Sequence, residues 1–258
     1  MDSKLVRYTF ILFLSTYSLC FLSLNCTAQD VDSEDSFRQG NSLYAKGQYD
    51  IAIKEYEKLI KDGLESGNLY FNIGNSYFKK GDLGRAVLNY ERARRFIPTD
   101  SDLKSNYQYA LSKVSTSAVR VEKKWFPEVL DKIFGEFTID NLTMLLFFIY
   151  LSAVFLIIIS MYIPMVRRSL AVIVLGMAVI ALMGGIELKN KISGIGTQSI
   201  VIDETVSVRF EPFDRATTFF QLNGGDKVEK LDSKDGWLKI KRADGRIGWV
   251  KSTSVEVI

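Results

Sequence analysis

The chain has 258 residues, of which 47% are hydrophobic and 24% charged, and its 33 basic residues nearly balance its 30 acidic residues. The net charge of +3 argues against a general nucleic-acid binder, and the absence of histidine excludes Ser-His-Asp triads and histidine metal sites. The only cysteines are Cys20 and Cys26, so a chain cleaved after them has no disulfide and no thiol nucleophile. We therefore expect no catalytic residue, no metal site and no cofactor.

Residues 1–28 have the layout of a secretory signal peptide. Lys4 and Arg7 precede a long apolar run, and small residues ending at Ala28 form a cleavage site. Two alternatives remain open, namely lipidation at Cys26, which the residue before it disfavours, and retention of the segment as an uncleaved anchor. All three place the chain that follows outside the cytoplasm.

The sequence then repeats itself with a period of 34 residues, in two units over 33–66 and 67–100. Glycine, alanine and tyrosine recur at equivalent positions, which are Gly40 and Gly74, Gly47 and Gly81, Ala52 and Ala86, and Tyr56 and Tyr90. These residues resemble the tetratricopeptide repeat (TPR) family, whose units are pairs of antiparallel helices. With a capping helix over 101–114, the predicted TPR domain covers 33–114.

The resemblance to TPR proteins implies a concave groove lined by aromatic and asparagine side chains: Phe37, Asn41, Tyr44, Phe71, Asn72, Asn75, Phe78 and Asn106. Asparagine amides can pair with both the C=O and the N–H of an extended peptide, so we expect a peptide-binding groove. The alternative is that these side chains pack against each other or against a neighbouring segment. Phe37 and Asp102 stand at positions that carry basic residues in carboxylate-binding TPR proteins, so we expect no carboxylate clamp.

Two apolar stretches, over 142–163 and 169–186, are each long enough to cross a membrane as a helix. Arg167 and Arg168 lie in the short loop between them, and the positive-inside rule puts that loop in the cytoplasm. Four lysines on the other side of the two stretches (Lys123, Lys124, Lys189 and Lys191) weaken this rule, so the signal peptide decides the orientation. Both soluble parts of the chain are then expected to face the extracytoplasmic side.

Residues 115–141 are predicted to form a linker and an amphipathic helix. Phe126, Val129, Leu130 and Ile133 recur at helical spacing, with charged residues between them. Because these residues lead directly into a membrane span, we favour a helix lying at the membrane surface. The alternative is a helix packed on the TPR stack.

Residues 195–258 change to the two-residue alternation of β-strands, with turn signals such as Asp235-Gly236 and Asp244-Gly245 between them. The sequences at 208–212, 235–237 and 244–250 resemble the bacterial SH3-like (SH3b) family. That resemblance implies a small all-β barrel that binds peptidoglycan or a protein partner. We expect Trp237 and Trp249 to lie in its core.

The predicted fold is a multidomain membrane protein with all-α TPR repeats, a two-helix transmembrane hairpin and a small all-β SH3b barrel. This order of modules resembles the E-type proteins of the Bacteroides aerotolerance (Bat) group. The resemblance implies a bacterial inner-membrane protein with its TPR and SH3b domains on the periplasmic side. It also implies partners among von Willebrand A-type Bat proteins and a MoxR-type ATPase system, in an aerotolerance or envelope-stress role.

The main functional hypothesis is a non-enzymatic adaptor that binds protein partners through the TPR groove and the SH3b domain. The alternative is a cell-wall sensor that binds peptidoglycan through the SH3b domain. The one enzymatic lead is the Ser101-x-x-Lys104 spacing of penicillin-binding proteins. No KTG or SDN motif accompanies it, and we expect Ser101 to cap a helix instead.

Overall fold

The computed structural model describes residues 31–114 and 125–258, with side chains from Glu34 onward. The predictions for the signal peptide and for linker residues 115–124 lie outside the described residues. The first described part is helical, and its five helices are α1 Val31–Ala45, α2 Tyr49–Lys61, α3 Gly67–Lys80, α4 Leu83–Phe96 and α5 Ser101–Lys113.

Side-chain caps set the starts of three of these helices. Ser66 accepts a hydrogen bond from the backbone N–H of Leu69, and Asp82 accepts one from Arg85. The start of α5 is capped by Asp100, which accepts from the N–H of Leu103 at 2.7 Å. The expectation that Ser101 forms this cap is wrong, because the carboxylate one residue earlier already occupies the N–H group.

The repeat glycines and tyrosines pack as the 34-residue period predicts. A Cβ added to Gly74 would lie 2.7 Å from the ring of Tyr90, and Gly40 lies equally tightly against Tyr56. Both tyrosines are fully buried. Each helix pair is therefore held by one tyrosine that fills the space above a glycine.

Three further helices follow, which are α6 Trp125–Phe134, α7 Ile139–Tyr162 and α8 Arg167–Gly194, with a short 3₁₀ turn at Pro164–Val166 before α8. The α7 helix and the segment Pro164–Gly194 are each long and apolar enough to cross a membrane. They run antiparallel, since Gly184 near the end of α8 packs against Leu146 near the start of α7. Helix α8 continues eight residues beyond the apolar stretch that ends at 186.

The carboxyl-terminal part is a seven-stranded antiparallel sheet in the order β3-β2-β6-β5-β4-β1-β7. Its strands are β1 Gln198–Val201, β2 Thr205–Arg209, β3 Thr218–Asn223, β4 Lys227–Lys234, β5 Trp237–Arg242, β6 Ile247–Lys251 and β7 Val255–Val257. All seven strands contribute to one core, whose buried side chains include Val201, Leu222, Ile240, Val250 and Val255. The sheet therefore wraps around a single interior, as an SH3-like barrel does.

The prediction that both tryptophans lie in the core is confirmed for Trp237, which is buried, and wrong for Trp249, which is only half-buried. Arg209 and Lys251 lie over the indole of Trp237, and Lys239 lies over that of Trp249. Strand alternation explains the exposure of Trp249, since Val250, the next residue along, is the one that points inward.

The barrel packs directly on α4, the second helix of the second repeat. Ile200 of β1 is buried in the same cluster as Val87 and Leu88 of α4. A Cβ added to Gly84 would lie 2.6 Å from the carbonyl oxygen of Ile202. Arg92 donates hydrogen bonds to Glu256 at 2.9 Å and to the carbonyl of Val257 at 2.7 Å. The TPR helices and the barrel thus form one packed body, which we call the TPR–SH3b unit.

Candidate functional site

All eight predicted groove residues lie on α1, α3 and α5, the first helix of each repeat and the capping helix. Phe37, Asn41 and Tyr44 are on α1, and Asn106 is on α5. The other four, Phe71, Asn72, Asn75 and Phe78, are on α3. The barrel packs mainly on α4, and its Gly225 also lies against Val114, directly after α5.

A buried tyrosine and two asparagines form a triad between α1 and α3. The Tyr56 hydroxyl donates to Oδ1 of Asn41 at 2.7 Å, and Nδ2 of Asn72 donates to the same oxygen at 2.8 Å. This oxygen therefore accepts two hydrogen bonds, one from inside the repeat and one from the neighbouring helix.

The same triad recurs between α3 and α5. Tyr90 donates to Oδ1 of Asn75 at 2.8 Å, and Nδ2 of Asn106 donates to it at 2.9 Å. Each member follows its counterpart in the first triad by 34 residues. Asn106, which follows Asn72 by 34 residues, thus holds in α5 the position that Asn72 holds in α3.

The triads leave part of each amide available. Among the described residues, no hydrogen bond is made by Nδ2 of Asn41 or Asn75, or accepted by Oδ1 of Asn72 or Asn106. Two amide nitrogens and two amide oxygens thus remain without a hydrogen bond among the described residues, on side chains whose positions the triads fix. This is the pattern needed to pair with the alternating N–H and C=O groups of an extended peptide.

Burial raises the pKa of both triad tyrosines. Removal from water raises the pKa of the Tyr56 hydroxyl to about 12, with a smaller contribution from Tyr44. The pKa of Tyr90 is raised by the same causes. Because a tyrosine with its ordinary pKa is already protonated at neutral pH, both hydroxyls can donate to the asparagine oxygens, as they do in the structure.

The predicted aromatic residues divide into two groups. Phe37 and Phe71 pack on the buried tyrosines, with ring centroids 5.9 Å from Tyr56 and 6.1 Å from Tyr90. The alternative of packing against each other thus applies to these two rings, and also to the four asparagines, which bond to one another in pairs. Phe78 instead packs against Tyr109 of α5, whose side chain is 54% exposed.

Tyr109 was not predicted, although a signal for it exists in the sequence. It follows Phe78 by 31 residues, the same separation as in the pairs Asn41–Asn72 and Asn75–Asn106. A separation of 31 residues thus marks side chains that meet across neighbouring first helices. Tyr44 contacts Tyr49 at the start of α2, with ring centroids 5.4 Å apart.

A second candidate surface lies on the barrel. Strands β2, β5 and β6 carry a basic–aromatic face, formed by Arg209, Trp237, Lys239, Trp249 and Lys251, in which Trp237 is buried beneath the cations and Trp249 is half-buried. Cations of this face lie 5.8–6.0 Å from the two indole rings. Beside it, Phe210 and Phe219 are exposed with ring centroids 4.4 Å apart.

Comparison with known families identifies both modules. Residues 37–101 match the family model described as Tetratricopeptide repeat, and residues 204–256 match the one described as Bacterial SH3 domain. No curated protein matches the chain. The predicted fold class is therefore confirmed, with two binding modules and two apolar helices of membrane-spanning length. The narrower resemblance to the Bat group stays a prediction.

Proposed function

We propose that the protein is a non-enzymatic adaptor of the bacterial inner membrane that holds protein partners on the periplasmic side. The observation that carries this proposal is the row of unused amide groups left by the two triads. Both matched modules are of classes that bind proteins or peptidoglycan rather than catalyse reactions. A binding role for the groove accounts for asparagines that are fixed in place yet retain donors and acceptors.

The groove suits an extended peptide without a strong charge requirement. None of its eight predicted side chains is charged, so recognition rests on amide hydrogen bonds and on contacts with Phe78 and Tyr109. An exposed aromatic pair at one end provides apolar contact area with little loss of side-chain freedom. We therefore infer that the partner presents an extended backbone segment with an apolar side chain at that end.

The hairpin supports the periplasmic placement of both modules. The start of α7 and the end of α8 lie together, so the TPR domain and the barrel leave the hairpin at the same end. Arg167 and Arg168 lie at the other end, but Lys189 and Lys191 at the module end weaken the positive-inside rule, so the proposed orientation rests on the signal peptide predicted for residues 1–28. Mutual packing of the two modules is compatible only with their being on one side of the membrane.

The specific setting that we propose is an aerotolerance or envelope-stress complex. Its other members are von Willebrand A-type membrane proteins and a MoxR-type ATPase system. The support for this setting is the order of modules in the sequence.

Affinity capture from native membranes tests the adaptor proposal. The test variant of the full-length protein carries Asn72→Ala and Asn106→Ala, which remove donors without leaving a buried tyrosine hydroxyl unpaired. The matched control carries Gln39→Ala and Gln108→Ala, which remove exposed amides on α1 and α5. We expect mass spectrometry to find von Willebrand A-type proteins with the control and not with the test variant. Equal recovery with both variants would contradict the proposal.

The exposed phenylalanines favour a second candidate function, in which the barrel binds peptidoglycan and the protein acts as a cell-wall sensor. Aromatic faces such as Phe210 and Phe219 can stack on sugar rings. We expect detergent-solubilised full-length protein to sediment with purified sacculi, and a Phe210→Ala, Phe219→Ala variant to stay in solution. Leu231→Ala, at an exposed apolar residue of β4, is the control. If the unaltered protein stays in solution, the sensor function fails.

A further inference from the structure

Helix α6 carries two apolar stripes with different surroundings. The first stripe is Leu130 and Phe134, which are buried against Leu142 at the start of α7. Around them pack partly buried apolar residues from both hairpin helices, which are Leu145, Leu146, Met183, Ile186 and Leu188. This stripe joins α6 firmly to one end of the hairpin.

The second stripe is exposed. It consists of Phe126, Val129 and Ile133, spaced three and four residues apart and 36–49% exposed. Trp125, at the start of α6, is 75% exposed. These side chains therefore present apolar surface that the described parts of the chain cover only in part.

The position of α6 indicates what covers this stripe. Leu142 begins the first apolar stretch and Ile186 ends the second, so α6 lies level with the boundary of both stretches. A different side of α6 faces a cavity of about 280 Å³, which Asp131 and Gly135 line together with Arg94 and Arg95 of α4. The exposed stripe lies away from this cavity, level with the ends of both apolar stretches.

We propose that α6 lies in the membrane interface, with its exposed stripe and Trp125 in contact with the acyl chains of the surrounding bilayer. An amphipathic helix with aromatic residues at its edge is typical of this location. Lys191 of α8 donates a hydrogen bond to the carbonyl of Gly135 at 3.2 Å, just after α6 ends. The helix thus fixes the height of the TPR–SH3b unit above the bilayer. This inference rests on the membrane placement proposed above.

Spin labels at three single cysteines test the proposal in the full-length protein. The background carries Cys20→Ser and Cys26→Ser, and the protein is reconstituted in phosphatidylcholine vesicles. Ile133→Cys reports on the exposed stripe, and Lys132→Cys is the matched control one residue away on the charged side. Leu175→Cys reports on the outer surface of α8. Each label is exposed to oxygen, which concentrates in lipid, and to a water-soluble nickel chelate.

We expect the ratio of oxygen to nickel accessibility at position 133 to exceed that at 132 several-fold and to approach that at 175. If 133 behaves like 132 while 175 is in lipid, the inference about α6 is wrong and the membrane placement stands. If 175 is accessible to nickel, the membrane placement itself fails. If 133 is shielded from both reagents and its labels broaden one another, a second copy of the chain covers the stripe, which also overturns the inference.

Discussion

A buried carboxylate lies at the contact between the TPR helices and the barrel, and we expect its replacement to destabilise the protein. Glu91 of α4 is 9% exposed and pairs with Lys227 of β4 at 3.3 Å. It also accepts a hydrogen bond from the Tyr107 hydroxyl at 2.6 Å. Burial alone would raise the pKa of this carboxyl, but Lys227, Arg94 and the Tyr107 hydrogen bond outweigh burial and lower it.

Removing one partner of a buried ion pair costs about 3–5 kcal/mol. Lys227 and Arg94 are close to half exposed and regain water when Glu91 is lost, so we take the lower end. Glu91→Ala should therefore lower the free energy of unfolding of the TPR–SH3b unit by about 3 kcal/mol. Glu91→Gln keeps an acceptor for Tyr107 and should cost less, about 1–2 kcal/mol.

Glu229 provides a matched control, because it also pairs with a lysine at 3.3 Å but is 52% exposed. Glu229→Ala should change the free energy of unfolding by about 1 kcal/mol or less. The assay is urea unfolding of full-length protein in mild detergent, followed by tryptophan fluorescence. If Glu91→Ala and Glu229→Ala cost the same, the carboxylate does not hold the two modules together and the reasoning is refuted.

Three further predictions concern stability. Asn75→Ala leaves the buried Tyr90 hydroxyl without its acceptor and should lower the free energy of unfolding by about 1–3 kcal/mol. Asn106→Ala leaves no buried hydroxyl unpaired and should lower it by about 0.5 kcal/mol or less. Urea unfolding compares the two variants, and equal losses would contradict the triad. Gly84→Ala pushes a Cβ into backbone carbonyls of the barrel and should lower the free energy of unfolding by about 1–3 kcal/mol, although alanine favours the helix. An unchanged unfolding midpoint would show that the modules are not in contact. The pKa of Glu91 lies below its ordinary value of 4.5, so the stabilisation that this carboxylate provides is fully present above pH 4.5 and is lost as the pH falls through the folded-state pKa. The difference in melting temperature between the unaltered protein and Glu91→Gln should therefore shrink on acidification. A constant difference would exclude the ionised carboxylate as its source.

The fold of the TPR domain follows closely from the sequence, because its helices repeat the same local contacts. The period of 34 residues predicts that Gly40 and Gly74 meet Tyr56 and Tyr90, and the structure has both contacts. The equivalence of Asn72 and Asn106 follows from the same period, since they are 34 residues apart. A contact that recurs in each repeat leaves the same residue types at the same spacing twice in the sequence. It can therefore be predicted from neighbouring residues, without knowing how distant parts of the chain pack.

The contact between the modules was not predicted, since no periodic pattern encodes it. Strand β1 illustrates the difficulty. Ile200 packs with the TPR helices while Val201 packs in the barrel core, so both are buried and no alternation marks the strand. The residues that join the modules, such as Arg92 and Glu256, are 164 positions apart. Only the folded chain brings such residues together.

Part of the candidate site also escaped prediction. The sequence predicts a shared face for the eight residues and offers mutual packing as the alternative, but it does not predict which pairs meet, namely Asn41 with Asn72 and Asn75 with Asn106. Those bonds depend on the offset between neighbouring helices, which a period of 34 residues does not define. The 31-residue spacing does define it, and it also locates Tyr109.

The central claim is that the face formed by α1, α3 and α5 binds a protein partner, and site-specific photocrosslinking in living cells tests it most directly. A photoreactive amino acid replaces Tyr109, which is exposed in the groove, or Ile51, which is exposed on α2. We predict a protein crosslink from position 109 that is lost when Asn72→Ala and Asn106→Ala are added, and no such crosslink from position 51. A crosslink from 109 that survives these changes, or none at all, would contradict the claim.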